Sequence, residues 1–456
     1  MGLSSTAETK EALARRFLAA IPDSAIDPCV HCGFCLTSCA SYRVTGSEMD
    51  SPRGRLHLLR GVEAASLELA DVAEHFESCL GCFACVTACP AGVRYDQVIS
   101  AVRPALRQTG HRSPWQQAFR QALFSLLPYP DRLRPLLRPL QAYAGGPLQR
   151  LARRTGLTAL FGPEIEAMER LLPPLAIEAF RDGLPPLVPA QGQRRYRVGL
   201  VLGCVQRVFD PTVNHAAARV LAANGIEVVV PPGQTCCGAM TAHQGEDAHT
   251  EALARALIDC FAAAIGPAAP GGPDPLDAVL VAASGCGHTL KLYDRILARD
   301  PVWAERATGF ASQVLDVQEF LHRVGLAAPL RPLRQAPLRA VFHDACHMLH
   351  GQGIAAQPRE LLQEIPGLSL VEATDAGLCC GSAGIYNVVQ PREAAELGAM
   401  KAADLASSGA DIAVSANIGC SLQIRRHMGD QPQPLPVYHP LQLLDWSLRG
   451  ETLPSA

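Results

Sequence analysis

The spacing of apolar residues changes character along the chain, and the change marks its organisation. The first part reads as helical. Thr6 to Ala20 has helical spacing and stops at Ile21-Pro22-Asp23. Arg53 to Ala70 puts Leu56, Leu59 and Val62 on one side of a second helix. Past residue 110, short apolar pieces are interrupted by prolines, which end helices. Residues 181–195 are rich in Pro and Gly and read as a linker. The rhythm then becomes strand, helix, strand, helix. Strands are predicted at Val198–Leu202, Glu227–Val230, Ala278–Val281, Ala340–Phe342, Leu368–Val371 and Ile412–Val414. Helices are predicted between them, among them Asn214–Asn224, Thr250–Ala264 and Arg392–Ser407. Such alternation implies a parallel sheet covered by helices.

This second part repeats itself. A cysteine follows the first strand of each unit (Cys204, Cys346), a Cys-Cys-Gly the second (from Cys236 and from Cys379), and a Gly-Cys the third (Cys286, Cys420). Each unit closes on a similar apolar helix, Leu315 to Leu321 in one and His439 to Leu444 in the other. Matching cysteines lie 142, 143 and 134 residues apart, which duplication of one α/β unit explains. The expected division is therefore 1–110, 111–195, 196–330 and 331–456.

Composition narrows the class. The chain has 456 residues, 48% hydrophobic and 18% charged, which suits packed globular domains. A net charge of −3 gives no overall drive toward nucleic acid. No apolar run approaches the roughly 18 residues of a membrane span, and Met1 to Arg16 lacks the continuous apolar stretch of a secretory leader. The expectation is a cytoplasmic protein. Residues 103–154 stand apart, with ten arginines and one acid, Asp131. They read as solvated helices bridging domains, or as a basic amphipathic surface for a partner or anionic lipid.

Cysteine decides the chemistry. There are 17, and in a reducing compartment clustered cysteines mean metal or redox chemistry before disulfides. The first tight group is Cys29-x2-Cys32-x2-Cys35-x3-Cys39, and the second is Cys79-x2-Cys82-x2-Cys85-x3-Cys89-Pro90. This is the spacing of two-cluster ferredoxins, in which the last cysteine of each group crosses to the other cluster. One [4Fe–4S] cluster is thus assigned to Cys29, Cys32, Cys35 and Cys89. The other is assigned to Cys79, Cys82, Cys85 and Cys39. Gly33 and Gly81 let backbone approach sulfur closely. Pro90 turns the chain after the second group, where the first has Ala40. A structural zinc site prefers two well-separated cysteine pairs and fits this doubled arrangement poorly.

The dispersed cysteines fall at carboxyl ends of parallel strands, where ligands gather. Cys204, Cys236, Cys237 and Cys286 are expected to form one metal or cluster site, and Cys346, Cys379, Cys380 and Cys420 the other. Burial as small hydrophobes is the plain alternative, but it does not explain duplication of the whole pattern. His343, His347 and His350 surround Cys346, and His288 follows Cys286. They are candidate ligands or hydrogen-bond donors, with ordinary surface or core histidine as the alternative. Cys260 sits in an apolar helix and reads as core. Gly351-x-Gly353-x-x-Ala356 resembles a dinucleotide fingerprint on paper, but its strand ends too early for the tight turn. No Walker loop or Gly-x-Ser-x-Gly elbow occurs, so no catalytic residue is assigned. Oxidising a substrate then calls for a second subunit.

The doubled ferredoxin motif followed by two Cys…Cys-Cys-Gly…Cys units resembles the iron–sulfur subunits that pair with flavin dehydrogenases. These include glycolate oxidase, anaerobic glycerol-3-phosphate dehydrogenase and lactate-utilisation proteins, with heterodisulfide reductase subunits more distant. Cys29-Val-His-Cys-Gly-Phe-Cys35, Ser51-Pro-Arg-Gly-Arg55, Cys89-Pro-Ala-Gly-Val-Arg-Tyr95, Ala283-Ser-Gly-Cys-Gly287, Leu378-Cys-Cys-Gly-Ser-Ala-Gly384 and Ala416-Asn-Ile-Gly-Cys420 look specifically like the glycolate oxidase iron–sulfur subunit family. The resemblance implies a helical two-cluster ferredoxin-like domain and two cysteine-rich α/β units with parallel sheets. It implies FAD on a partner subunit that oxidises glycolate to glyoxylate, and a relay toward membrane quinone, with peripheral association on the cytoplasmic face. Related cysteine-rich domains often end in Cys-x-x-Cys; here the earlier positions are Ala283 and Asn417. A four-ligand cluster, or zinc in one repeat, stays open. D-lactate or glycerol-3-phosphate as substrate, and an iron–sulfur sensor or scaffold, are the competing readings.

Overall fold

The computed structural model describes residues 15–181, 183–265 and 274–454. The chain forms two compact units. One holds residues up to Phe124 together with Met240–His249, and the other holds Ser125–Ala239 and Thr250 onward. Among the described residues, no helix is long and apolar enough to cross a membrane.

The first unit is helical. Its core gathers Leu56, Leu59, Phe76, Val98, Ile99, Val102 and Leu106. The expected helix at Thr6 to Ala20 lies mostly outside the described residues; its last turn is seen at 15–18. The helix expected at Arg53 to Ala70 is shorter, spanning Pro52–Glu63. Ser51 caps it by accepting from the Gly54 N–H, and Pro52 occupies the first turn, where no N–H is needed. It stops because Ala65 takes a left-handed conformation, φ 56°, which a helix does not propagate. Gly54 is required sterically: a Cβ there would lie 1.9 Å from the Glu48 carbonyl oxygen.

The second unit contains the duplicated sheets. One has strand order β1-β3-β2-β4-β5 and the other β7-β6-β8-β9. The strands are β1 Leu187–Val188, β2 Tyr196–Val201, β3 Ile226–Val229, β4 Ala278–Val281, β5 Val314–Asp316, β6 Leu338–His343, β7 Leu368–Val371, β8 Ile412–Ser415 and β9 Val437–Tyr438. Among the described residues, all pairings are parallel except β1 with β3. Setting β1 aside, β3-β2-β4-β5 matches β7-β6-β8-β9 strand for strand, so the internal repeat is a repeat of topology. Two expectations are corrected here. The stretch 181–195 is not only a linker, since Leu187 and Val188 pair with Val229 and Val228. Leu315 to Leu321 is not one helix either. It is the end of β5 followed by the helix Val317–Val324.

The repeats share one apolar core running from Val198 in the first to Leu444 in the second. Their closing helices are exchanged. Pro440–Arg449 packs on Thr212–Ala223 of the first repeat, and Val317–Val324 packs on Ala356–Gln363 of the second. Arg219 pairs in bidentate fashion with the nearly buried Asp445, at 2.8 and 2.7 Å. Each closing helix starts with a reciprocal cap. Asp316 accepts from Gln318 N–H and His439 Nδ1 accepts from Leu441 N–H. The opposite nitrogen of His439, Nε2, donates to the Ala282 carbonyl at 2.8 Å, joining the repeats. Burial holds His439 down to about 4, so it is neutral in the fold.

The arginines of 103–154 are only partly solvated, against the plainer expectation. Arg120 and Arg134 are buried. Arg120 and Arg112 close on Glu77, which His111 also reaches. Burial pushes the Glu77 carboxyl up, but these donors outweigh it and hold it at about 2.

His439 makes stability pH-dependent. The unfolded imidazole takes a proton near its ordinary pKa of about 6.5, whereas the folded one resists until about 4. Its contribution is complete above pH 6.5 and is lost as pH falls toward 4. Between pH 7.5 and 5, denaturant unfolding of the protein should lose on the order of 2 kcal/mol more than that of His439→Asn, which keeps a cap without the titrating ring. Equal pH dependence in the two proteins would contradict this.

Candidate metal centres

The tight cysteine groups lie on loops that fold back on themselves. Backbone reverses through left-handed residues at matching places: His31 (φ 54°) and Gly33 (φ 85°) in the first loop, Gly81 (φ 62°) and Phe83 (φ 64°) in the second. The glycine occupies opposite members of the pair in the two loops. At Gly81 a Cβ would lie 2.8 Å from the Arg103 guanidinium, and at Gly33 it would lie 2.9 Å from Arg53 Nη1. These arginines tie the loops down. Arg53 donates to the His31 carbonyl at 2.9 Å, and Arg103 donates to the Cys79 carbonyl at 3.0 Å.

Two pockets result. One is lined by Cys29, Cys32, Cys35 and Cys89, and the other by Cys39, Cys79, Cys82 and Cys85. Each draws its fourth cysteine from the other group. Cys85 and Tyr95 line both. The donor set suits an anionic cluster. Five thiols line the first pocket and four the second, with Cys85 shared; the Gly81 N–H points at Cys79 Sγ at 3.4 Å, and the Tyr95 hydroxyl reaches the same sulfur at 4.0 Å. Burial and the neighbouring thiols push the Cys85 thiol well up, so it would ionise there only with a compensating metal.

Arg55 is the residue whose role the sequence did not announce. It stands in the quoted Ser-Pro-Arg-Gly-Arg stretch, but nothing in the pattern says it is buried. Its side chain is only 1% exposed. It donates to the His75 carbonyl, to Ser41 Oγ at 2.9 Å and to Ser78 Oγ at 2.8 Å. Ser41 in turn lies 3.3 Å from Cys39 Sγ. Burial opposes its charge, yet Cys79, Tyr95, Cys39 and Asp50 together raise its pKa. A fixed cation thus sits beside the second pocket, where it offsets thiolate charge.

In the first repeat, three strand ends deliver the cysteines to one buried point. Cys204 Sγ is 3.1 Å from Cys236 Sγ. Cys237 accepts from both Cys236 and Cys286, which holds it well below an ordinary thiol, while Cys236 and Cys286 are pushed well up. Buried sulfurs this close together are a set that a bound metal would deprotonate and hold. The Gly238 N–H points at Cys236 Sγ at 3.4 Å, and Tyr293 donates to the Cys237 carbonyl at 2.9 Å.

The second repeat differs. The ligand atoms of His343, Cys380 and Cys420 lie within 4.8 Å of one another, all buried. A hydrogen bond from Cys380 brings Cys420 down to about 5, helped by His343 and Asn417. Asn417 Nδ2 donates to Cys420 Sγ at 3.3 Å. Cys379 is buried and hydrogen-bonds to Cys380. Cys346 is half-buried at the start of the helix Cys346–Gln352, outside the close trio. His288 and His347 meet edge to face, 4.7 Å between ring centroids, and His350 lies close enough to Cys379 to feel its charge. Cys260 is not fully in the core: it is half-buried and its thiol donates to the Pro232 carbonyl. Gly351 and Gly353 close a helix and do not form a strand-to-helix turn.

Paired cysteine-lined pockets ahead of two cysteine-lined α/β repeats define an iron–sulfur protein of the dicluster type. Family comparison agrees. A 4Fe-4S dicluster domain matches residues 25–93, a cysteine-rich domain matches 198–291 and 340–425, and the linker region of the glycolate oxidase iron-sulfur subunit matches 115–172. The chain is 33% identical over 405 residues to the Bacillus subtilis protein named "Probable glycolate oxidase iron-sulfur subunit", covering 87% of this chain and 88% of that one. It is 31% identical over 407 residues to the glycolate oxidase iron-sulfur subunit of Escherichia coli, covering 88% and 90%. Lactate utilization protein A of Halalkalibacterium halodurans is 28% identical over 249 residues, 55% of this chain and 96% of that protein. The chain belongs to the glycolate oxidase iron–sulfur subunit family. It is an iron–sulfur electron-transfer subunit.

The crossed pockets make a specific expectation. Cys39→Ser should damage the same centre as Cys82→Ser, and Cys89→Ser the same centre as Cys32→Ser, each variant losing about four irons. Iron analysis with low-temperature EPR of the reduced proteins checks this. If Cys39→Ser instead matches Cys32→Ser, the pairing is wrong.

Proposed function

We propose that this chain relays electrons within a flavin-dependent glycolate dehydrogenase. A partner flavoprotein oxidises glycolate to glyoxylate, releasing two electrons and two protons, and this chain passes the electrons toward membrane quinone. The observation that carries the reading is the pair of cysteine-lined pockets with Cys85 and Tyr95 in the wall of both. Bound [4Fe–4S] clusters there supply one-electron storage, which turns a two-electron oxidation into single-electron steps. We assign Cys29, Cys32, Cys35 and Cys89 to one cluster and Cys79, Cys82, Cys85 and Cys39 to the other. The cysteines of each repeat hold a further metal or cluster.

The protein residues supply charge and order. Arg53 and Arg103 fix the loop carbonyls, so the sulfurs keep one arrangement through reduction and oxidation. Arg55 adds a buried positive charge beside Cys39 and Cys79, which favours accepting an electron at that pocket. Substrate specificity lies in the partner. The match to the glycolate oxidase linker region over 115–172 favours glycolate over D-lactate or glycerol-3-phosphate.

Delivery to quinone brings the chain to the cytoplasmic face of the membrane. Exposed Leu136, Leu148, Leu151, Leu160 and Phe161 support this, interleaved with exposed Arg132, Arg138, Arg150 and Arg154. No acid occurs between Arg132 and Pro163. Apolar side chains beside arginines suit an anionic lipid surface.

The test begins with the chain purified anaerobically from its host together with its partner. Glycolate should reduce an artificial acceptor, and D-lactate and glycerol-3-phosphate should not. In Cys85→Ser, glycolate should still bleach the partner flavin, while acceptor reduction falls at least tenfold. Unchanged acceptor reduction in that variant would overturn the relay. For membrane delivery, the complex should sediment with phosphatidylglycerol vesicles in low salt and far less with phosphatidylcholine. Leu148→Ser/Leu151→Ser should weaken this several-fold. Equal sedimentation with both lipids, or none, would remove that part of the proposal.

A further inference from the structure

The two repeats have the same topology but different chemistry where their central strands end. In the first repeat Val201, the last residue of β2, lies in register with Val281 of β4. In the second, His343, the last residue of β6, lies in register with Ser415 of β8. β2 and β6 are equivalent strands, as are β4 and β8. A valine pair in one repeat is therefore a histidine–serine pair in the other.

Packing does not account for the change. His343 is 1% exposed and Ser415 is fully buried. Neither ring nitrogen of His343 has an oxygen or nitrogen partner, the Cys420 sulfur being the polar group it faces, and Ser415 Oγ has none. A buried polar atom without a partner costs on the order of 1–3 kcal/mol, and valine at the same place in the first repeat avoids that cost. What surrounds the imidazole instead is sulfur, with its ligand atom within 4.8 Å of Cys380 and Cys420. The earlier member of a Cys-x-x-Cys pair does not compete for this role. Asn417 occupies that place and is otherwise engaged, accepting from the Gly285 N–H and donating to Cys420 Sγ.

We propose that His343 is a nitrogen ligand to the centre of the second repeat, together with Cys380 and Cys420. The first repeat, with Cys204, Cys236, Cys237 and Cys286, has thiolate ligands only. The ligand class is a borderline-soft transition metal, either iron of an iron–sulfur centre or zinc. A neutral imidazole in place of a thiolate makes the second centre less negative. If it holds iron, that centre has the higher potential of the two and is the better electron acceptor. This inference rests on the reading that both repeats hold metal.

The experiment uses full-length protein, purified anaerobically with its partner and grown on 15N-histidine. Metal is counted first. With iron in the second repeat, pulsed EPR of the reduced protein should show a histidine nitrogen coupling. The coupling should vanish in His343→Val, which installs the residue of the first repeat. It should persist in His350→Gln, and the signals of the N-terminal clusters should be unchanged in both variants. With zinc in the second repeat, X-ray absorption at the zinc edge should show one nitrogen among sulfurs, replaced by sulfur in His343→Cys. His343→Cys also covers the case in which His343→Val fails to fold. A metal-filled second repeat without nitrogen, or a coupling that survives His343→Val, overturns the inference alone. Repeats that carry no metal in a protein with intact N-terminal clusters overturn the underlying reading as well.

Discussion

Thiol sulfur from distant parts of the chain must meet at a few buried points, and the rest of the structure follows from that requirement. A thiolate out of water is costly unless metal or a cation compensates it. The fold answers in two ways. In the first unit, short loops reverse through left-handed residues, and three arginines hold them: Arg53 and Arg103 on backbone carbonyls, Arg55 buried beside Cys39 and Cys79. In the second unit, parallel strands end along one edge. Cysteines 32 to 82 residues apart reach one point because their strands are neighbours in the sheet.

The duplication explains the second unit's solidity as well as its symmetry. Neither repeat is closed by its own last helix alone. Each lends that helix to the other's surface, so the two form one core. Asp445 and His439 belong to this exchange, one pairing with Arg219 and the other joining Ala282. Duplication also leaves room for divergence. Once two equivalent sites exist, a single strand-end position can change from valine to histidine without altering the topology.

The basic stretch combines two roles that its composition did not separate. Arg112 and Arg120 serve the inside by closing on Glu77, and Arg134 by holding the Ala179 carbonyl. Arg132, Arg138, Arg150 and Arg154 face outward among exposed leucines. Charge count alone treats these residues alike. Only their position on short helices broken by prolines decides which guanidinium finds a carboxylate and which meets solvent.

Much of the molecule was legible in its residues. Cysteine spacing expresses ligand geometry directly, because three cysteines at intervals of three residues wrap one small cluster. β-branched runs at regular intervals express a parallel sheet, and the paired Cys-Cys-Gly motifs express its duplication. What remained hidden was set by contacts between residues far apart in the chain. β5, β9 and the edge strand β1 are two or three residues long, too short to show a period. The helix after Pro52 ended early because of one backbone angle at Ala65. Cys260 sits in an apolar helix yet is only partly covered, since periodicity in a mostly apolar helix does not say which side is covered. Arg55 and His343 are the clearest cases. A lone arginine or histidine has no pattern, and its role comes from which sulfurs, carbonyls and hydroxyls the tertiary structure brings within a few ångströms of it. The sequence alone determined which chemistry the chain carries, through residue type and local spacing. The tertiary structure decided which side chains share a site, because burial and distance are properties of the folded chain and not of its order.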